Sequence, residues 1–401
     1  CMMVFLVAII AAFISTSTGL TQIEVINKPH DGFHVDIRDF GGKGDGVTSN
    51  TMAFNTAIEA VRRHGGGVLT VSASSSSSRG DVQILSLSEG NTFLTGPFNL
   101  TSNMWLVIEK GATLRGSTNL KEWPLMPPMP SYGQGRDHPG PRRVSLIHGF
   151  NLTNVTVTGG GTVDGQGPFW WQRHRTPGVE KYTRGHLIEF MYCTLLEVSH
   201  LTLTNSPFWT VHPVYSDGFH GHHLRIINDL HSPNTDGIDP DSTVNVVLHD
   251  NYIATGDDCY ALKSGWDTAG IKVGAPTRNI TIYNGYCQSP TSAGICVGSE
   301  MSGGVEDVSV WNMTFENTGF AFRLKTGIGR GGCIRNMIFA NSTLINCSTA
   351  FEFSAFYGGH PQSGYNKSAI PIVDGVHVNN IAGVATSVAA LTGLPQASTT
   401  S

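Results

Sequence analysis

Charge is scarce in this sequence. Asp, Glu, Lys and Arg make up 14% of the 401 residues and the formal net charge is −5. With no basic stripe there is no electrostatic footprint for nucleic acid, so any anionic ligand must be gripped by a few local cations. Long apolar runs are missing too: Met2 to Phe13 is too short to span a bilayer. No Cys-x-x-Cys pair or His/Cys cluster has zinc spacing, and neither a metal nor a cofactor is expected. After residue 70 no amphipathic helical pattern separates the β-like runs, which excludes a Rossmann-type sheet. The 48 glycines follow no Gly-X-Y period, so they imply many tight turns rather than collagen.

What is present begins with a secretory signature. The Met2 to Phe13 run, followed by the small polar residues Ser15 to Gly19, reads as a signal peptide over residues 1–20. A secreted, extracellular or cell-wall protein with no membrane anchor in its mature form is expected. The sequence opens on Cys1 with no basic residues ahead of the run, as an N-terminally incomplete leader would, and the polar stretch Thr386 to Ser401 lacks a closing cap. Sequons at Asn99, Asn151, Asn154, Asn279, Asn312, Asn341, Asn346 and Asn366 fit the same route. Cys287 with Cys296, and Cys333 with Cys347, are near enough in sequence to staple local loops in an oxidising compartment.

From about residue 150 one theme recurs: a β-branched alternating run, a polar or Gly-containing corner, then another run. The runs open at Asn154, His200, His223, Asn245, Asn279, Asp307 and Asn336, and from His200 onward the steps are 23, 22, 34, 28 and 29 residues. A compact sandwich would turn every 8 to 12 residues or so without this longer recurrence. The period suits one coil of a solenoid, and the expected fold is all-β: a single-stranded, right-handed parallel β-helix forming one domain from about residue 35 to 401. Ser49 to Arg63 reads as a helix with a Ser/Asn N-cap and with Phe54, Ile58 and Val61 on one face, placed to cap the open end of the solenoid. The serine-rich Ser72 to Ser88 stretch reads as a low-complexity loop.

Two short acidic motifs stand in consecutive repeats, Asn234-Thr-Asp236-Gly and Gly256-Asp257-Asp258-Cys. Stacked coils lie ~4.8 Å apart, so a one-coil offset can bring Asp236, Asp257 and Asp258 together on one outer face. Crowded carboxylates resist joint ionisation, which raises at least one pKa and sets an acid beside a base, the pair that glycoside hydrolysis needs. A single Asp at such a corner more often makes a turn, and clustered carboxylates also suit calcium. In Phe320-Ala-Phe-Arg323-Leu-Lys325 the alternation turns Phe322 and Leu324 inward and projects Arg323 and Lys325 together, ready for an anionic sugar.

Asn234-Thr-Asp-Gly, Gly256-Asp-Asp-Cys and Arg323-Leu-Lys-Thr, in this order, resemble the motifs of the polygalacturonase family, glycoside hydrolase family 28, in its plant-type subgroup. The similarity extends to DFGGKGDGVTSNTMAF at Asp39 to Phe54, to Val163 to Trp171 and to Ser206 to Pro213. Gly298 to Val305 is similar to a plant subgroup related to bacterial exo-acting enzymes. The resemblance implies a monomeric enzyme that cleaves galacturonosyl bonds of a pectic polysaccharide by inversion, with Asp257 as general acid and Asp236 with Asp258 activating water. It places Arg323, Lys325 and Asn234 on the substrate. One departure stands out: where the family commonly has Gly-His-Gly, this chain reads Thr291-Ser-Ala-Gly294. A hydrolase of a decorated pectin, such as rhamnogalacturonan or xylogalacturonan, and a non-catalytic wall-binding β-helix are the alternatives. His212, His222 and His223 lie near the acidic repeats in sequence and are read as surface or packing residues.

Overall fold

The computed structural model describes residues 32–73, 90–361 and 364–394. Residues 1–20 and nearly all of Ser72 to Ser88 lie outside these. The chain coils into a parallel β-helix with three strand tracks. One track runs through Ile147–Phe150, Ile188–Met191 and Val211–Val214, then through single bridges at Ile238, to Tyr260–Leu262, Ala293–Val297 and Phe320–Lys325. A second stacks Met104–Ile108, Thr153–Thr158, Thr194–Ser199, Asp217–His222, Val244–His249, Thr277–Tyr283 and Val305–Trp311. The third stacks Thr113–Gly116, Thr162–Asp164, Thr202–Thr204, Arg225–Ile227, Tyr252–Ala254, Tyr286–Gln288 and Thr314–Glu316. The long strands Cys333–Ser354 and Ile372–Thr392 add the last coils described.

Register makes the core. In the second track Val155, Leu196, Phe219, Val246, Ile280, Val308 and Met337 stand in one column, each fully buried or nearly so. Val163, Leu203, Ile226, Ile253, Cys287 and Phe315 form the equivalent inward column of the third. Residues between inward positions point outward, as the period-two geometry of a strand requires. Corners are made by residues in the left-handed region, and all seven run openings noted above adopt it, with φ between 51° and 59°. Side chains there join coil to coil: Asn279 donates to Asn245 and Asn245 to Asp217.

Two different corners were superposed in the sequence spacing. Asn154, Asn245, Asn279, Asp307 and Asn336 open the second track, whereas His200 and His223 sit in the turn that leaves it. The 22-residue step from His223 to Asn245 therefore does not measure a coil.

The expected N-terminal helix, α1, spans Thr51–Arg63 and buries Phe54, Ala57, Ile58 and Val61 in the solenoid core. Its N-cap residue Asn50 makes no capping bond; the amide ties the preceding loop instead, through Lys43, Thr48 and Leu94. The cysteine staples are not formed: Cys287, Cys296, Cys333 and Cys347 are free. Cys287 stands in the inward column of one track, whereas Cys296 stands in line with Arg323 on the outer side of another. Cys333 hydrogen-bonds Glu306 and Cys347 accepts from Thr318, so each thiol has its own partner.

Candidate active site

The two acidic motifs occupy adjacent coils at the corner that enters the first track. Ile238 bridges Tyr260 in parallel register, and this stacks Asn234-Thr-Asp236 beside Asp257-Asp258. One oxygen from each of Asp236, Asp257 and Asp258 lies within 4.8 Å of the others. Asp257 is half-buried, while Asp236 and Asp258 are 3% and 1% exposed. None of the three points into the apolar core columns, so all the expected carboxylates meet on the outside of the coil.

Each carboxylate has a different environment. Asp258 accepts from Lys325 Nζ at 2.7 Å, from the Ser292 hydroxyl at 2.5 Å and from the Ala293 amide at 3.0 Å. Burial opposes its ionisation, but Lys325 and Lys263 outweigh that effect and hold the carboxyl below its ordinary value. Asp257 accepts from the Asp258 amide at 2.9 Å and from the Asn234 amide at 3.4 Å. Burial first, and then the neighbouring Asp258 charge, push it up. Asp236 is pushed up to about 8 by burial and by Asp257, although Lys263 Nζ lies 3.4 Å away. The corner therefore holds protonated and ionised carboxyls side by side.

Several members of the site carried no sequence signal. Lys263 is buried between Asp236 and Glu300, with its ammonium 4.4 Å from the centroid of the Trp209 ring. Arg136 secures Glu300 at 2.6 Å. Arg184 binds Asp137 and the carbonyls of Pro207 and Pro233, and its bond to Asn234 Oδ1 at 2.9 Å fixes the first acidic motif. Asp239 is fully buried with no hydrogen-bond partner on either oxygen, and burial and the Asp236 charge push it well above its ordinary value. Asp239 follows Asp236 by three residues, whereas only contact in space joins Lys263, Glu300, Arg136 and Arg184 to the motifs.

The two expected cations part company. Phe322 and Leu324 do turn inward, at 0% and 1% exposed, and Arg323 and Lys325 leave the opposite side. Lys325 reaches Asp258, whereas Arg323 pairs with Glu352 on the next coil and lies 4.0 Å over the Phe320 ring. The segment in place of Gly-His-Gly also has work to do: Thr291 donates to the Gly256 carbonyl and Ser292 to Asp258. Ala293 packs with Ala261 and Cys296 under Phe320, so a small patch capped by a ring stands where the family commonly has a histidine. Gly294 admits no side chain, since a Cβ there would come within 2.2 Å of Phe315.

The nearby histidines divide as well. His212 is fully buried, hydrogen-bonded to Glu189 at 3.0 Å and to Asp241 at 3.3 Å in a packed ionic network. His222 and His223 lie at a different corner, where the second track ends.

Residues 80–397 match the family model for glycosyl hydrolases family 28. The chain belongs to that family. It is a polygalacturonase-like glycoside hydrolase. A probable polygalacturonase of Vitis vinifera is 43% identical over 359 residues, covering 89% of this chain and 70% of the relative. One from Arabidopsis thaliana is 31% identical over 335 residues, covering 81% and 61%. The hydrolase thus spans about two thirds of the length of these relatives. Its fold is similar to an exopolygalacturonase from Thermotoga maritima, with a TM-score of 0.72 at 24% identity over 91% of this chain and 94% of that one. It also resembles a polygalacturonase from Erwinia carotovora, with a TM-score of 0.67 at 23% identity over 88% and 94%.

Proposed function

We propose that the chain hydrolyses α-1,4-galacturonosyl bonds of pectin with inversion. Asp257 gives its proton to the glycosidic oxygen as the bond to the anomeric carbon breaks. A water attacks that carbon from the other face and yields its proton to Asp258, while Asp236 holds the same water. Arg323 and Lys325 grip the uronate carboxylate, and Asn234 keeps Asp257 in place. The observation that carries this reading is the split within one corner, where Lys325 pairs with Asp258 and holds it below its ordinary value while burial and the Asp258 charge push Asp257 above its own. Similarity to the probable polygalacturonases of Vitis and Arabidopsis supports the substrate class.

Secretion to the cell wall and action as a monomer complete the proposal. Seven of the eight sequon asparagines are exposed and Asn154 is half-buried, as accessible acceptor sites would be. Among the described residues no helix is long and apolar enough to cross a membrane. A second reading, hydrolysis of a decorated pectin, is favoured by the Phe320-capped patch around Ala293. Purified protein incubated with homogalacturonan, xylogalacturonan and rhamnogalacturonan separates the two by product mass. Products carrying an added water support hydrolysis and name the polymer. Unsaturated products would indicate elimination, and no product from any polymer would leave the wall-binding alternative.

A further inference from the structure

Five histidines gather at the corner between the second and third tracks, away from the carboxylates. Strand register puts them there. His222 on Asp217–His222 pairs with His249 on Val244–His249, and His220 follows Glu197 in the neighbouring outward column. His200 and His223 are the left-handed corner residues of two consecutive coils, and Asp250 is that of the next. A period-two strand ending in a left-handed corner thus carries four imidazoles on two coils, with a fifth one coil before.

Stacking explains part of this. The His222 and His249 rings lie 5.0 Å apart and nearly parallel, and the same column continues through Tyr283 and Trp311. Any flat ring would serve that purpose. It does not explain why ring nitrogens converge: His220 Nε2 is 2.8 Å from His249 Nε2, and His222 Nδ1 is 2.9 Å from His223 Nδ1. Nor does it explain the carboxylates, with Asp250 at 2.6 Å from His249 Nδ1 and Glu197 at 3.4 Å from His222 Nε2. A carboxylate on one imidazole nitrogen fixes the tautomer and presents the other nitrogen as a lone pair, the usual arrangement behind a metal-ligating histidine.

We infer that this corner binds one divalent transition ion of the zinc or copper class through His222 and its neighbours. Three overlapping groups have donor atoms within 4.8 Å of one another: His200, His222 and His223; Glu197, His220 and His222; His223, His249 and Asp250. Tetrahedral zinc with bonds of about 2.0–2.1 Å needs nitrogens about 3.3 Å apart, so small side-chain rotations close the group of His200, His222 and His223, with Glu197 standing behind His222. Imidazole nitrogens suit zinc and copper, whereas calcium and magnesium demand oxygen. The imidazoles must be neutral to bind. His200, His223 and Asp250 are exposed, so an ion can enter from solvent.

The test is titration of tag-free, metal-free protein with Zn²⁺ alone at pH 7.5 by calorimetry. One ion per chain is expected, with affinity at least tenfold weaker in the H222N/H249N double variant and hydrolytic activity unchanged. Equal affinity and stoichiometry in parent and variant, or no binding by the parent, would overturn the inference. Should the double variant not fold, the exposed single variant H223N and Cu²⁺ paramagnetic resonance on the parent decide it. Nitrogen couplings from at least two imidazoles, weakened in H223N, support the site; an oxygen-only signal, or one untouched by H223N, refutes it.

Discussion

Lys325 Nζ donates to Asp258 Oδ2 at 2.7 Å, across 67 residues of chain and one coil of the solenoid beyond Ala293–Val297. A cation expected to face a sugar carboxylate is thus also the group that sets the ionisation of a catalytic candidate. Its removal should touch both binding and chemistry.

The pH profile follows from that contact. Below the depressed pKa of Asp258 the base is protonated and the rate falls; above the raised pKa of Asp257 the acid is ionised and the rate falls again. Lys325 lowers both groups, so Lys325→Met should move the whole bell of kcat/KM toward higher pH and raise KM. A profile that loses height without shifting would mean that Lys325 does not govern Asp258.

Asp257→Asn keeps the shape of the side chain and its bond to the Asp258 amide but has no proton to give at the pKa required. We expect kcat to fall by about 10²–10⁴-fold with KM little changed. Steady-state rates on the best pectic substrate check this, and near-parental kcat would remove Asp257 from the acid role.

Glu352 pairs with Arg323, the cation proposed to hold the uronate carboxylate. Glu352→Gln frees the guanidinium while preserving length, so KM for a uronate polymer should drop several-fold with kcat unaltered; the combined Glu352→Gln, Arg323→Ala variant should lose the gain. A KM that rises in the single variant would show Glu352 positioning Arg323 rather than restraining it.

Stereochemistry tests the water-first mechanism. Inverting acid–base pairs commonly stand about 6.5–9.5 Å apart and retaining pairs about 5–5.5 Å. Here the nearest oxygens of the three carboxylates come within 4.8 Å of one another, closer than either range, so the proposed inversion needs a direct test. Proton NMR of the first product formed should show the β-anomer. The α-anomer would make Asp236 or Asp258 a nucleophile.

Stability on the acid side should depend on Glu189, which is fully buried against Arg142, His148, His186 and His212. Burial opposes its charge, but Arg142 and the imidazoles hold its pKa well below the ordinary value. A depressed carboxyl contributes stability above its unfolded pKa and loses it as pH falls, so unfolding should set in at acid pH. Glu189→Gln leaves Arg142 unpaired and should cost about 3–5 kcal/mol in chemical denaturation at neutral pH. A loss under 1 kcal/mol or so would mean that the network tolerates its own disruption.

What could be read from the sequence was what lies within a few residues. Asn-Thr-Asp, Asp-Asp and Arg-Leu-Lys are contiguous, and alternation told which way Phe322 and Arg323 face. The seven run openings were legible because left-handed corners select Asn, Asp and His. Their sorting into two kinds of corner was not, since both select the same residues. Lys263, Glu300 and Arg184 act through contacts that coil stacking creates, and no local pattern flags a lysine between two carboxylates. The disulfide expectation failed for the same reason: nearness along the chain says nothing about which side of a strand a thiol leaves.

The coils differ in length, yet their strands stay in register, because extra residues leave at corners: the helix Asp267–Val273 hangs outside the step between Tyr260–Leu262 and Thr277–Tyr283. Insertions at such points would extend the outer surface of the coils without moving Asp236 relative to Asp258. Evolution can therefore remodel which polymer is admitted by trading loops while the three-carboxylate corner stays fixed, and loop exchange between family members should transfer preference for a polymer without re-engineering the acids.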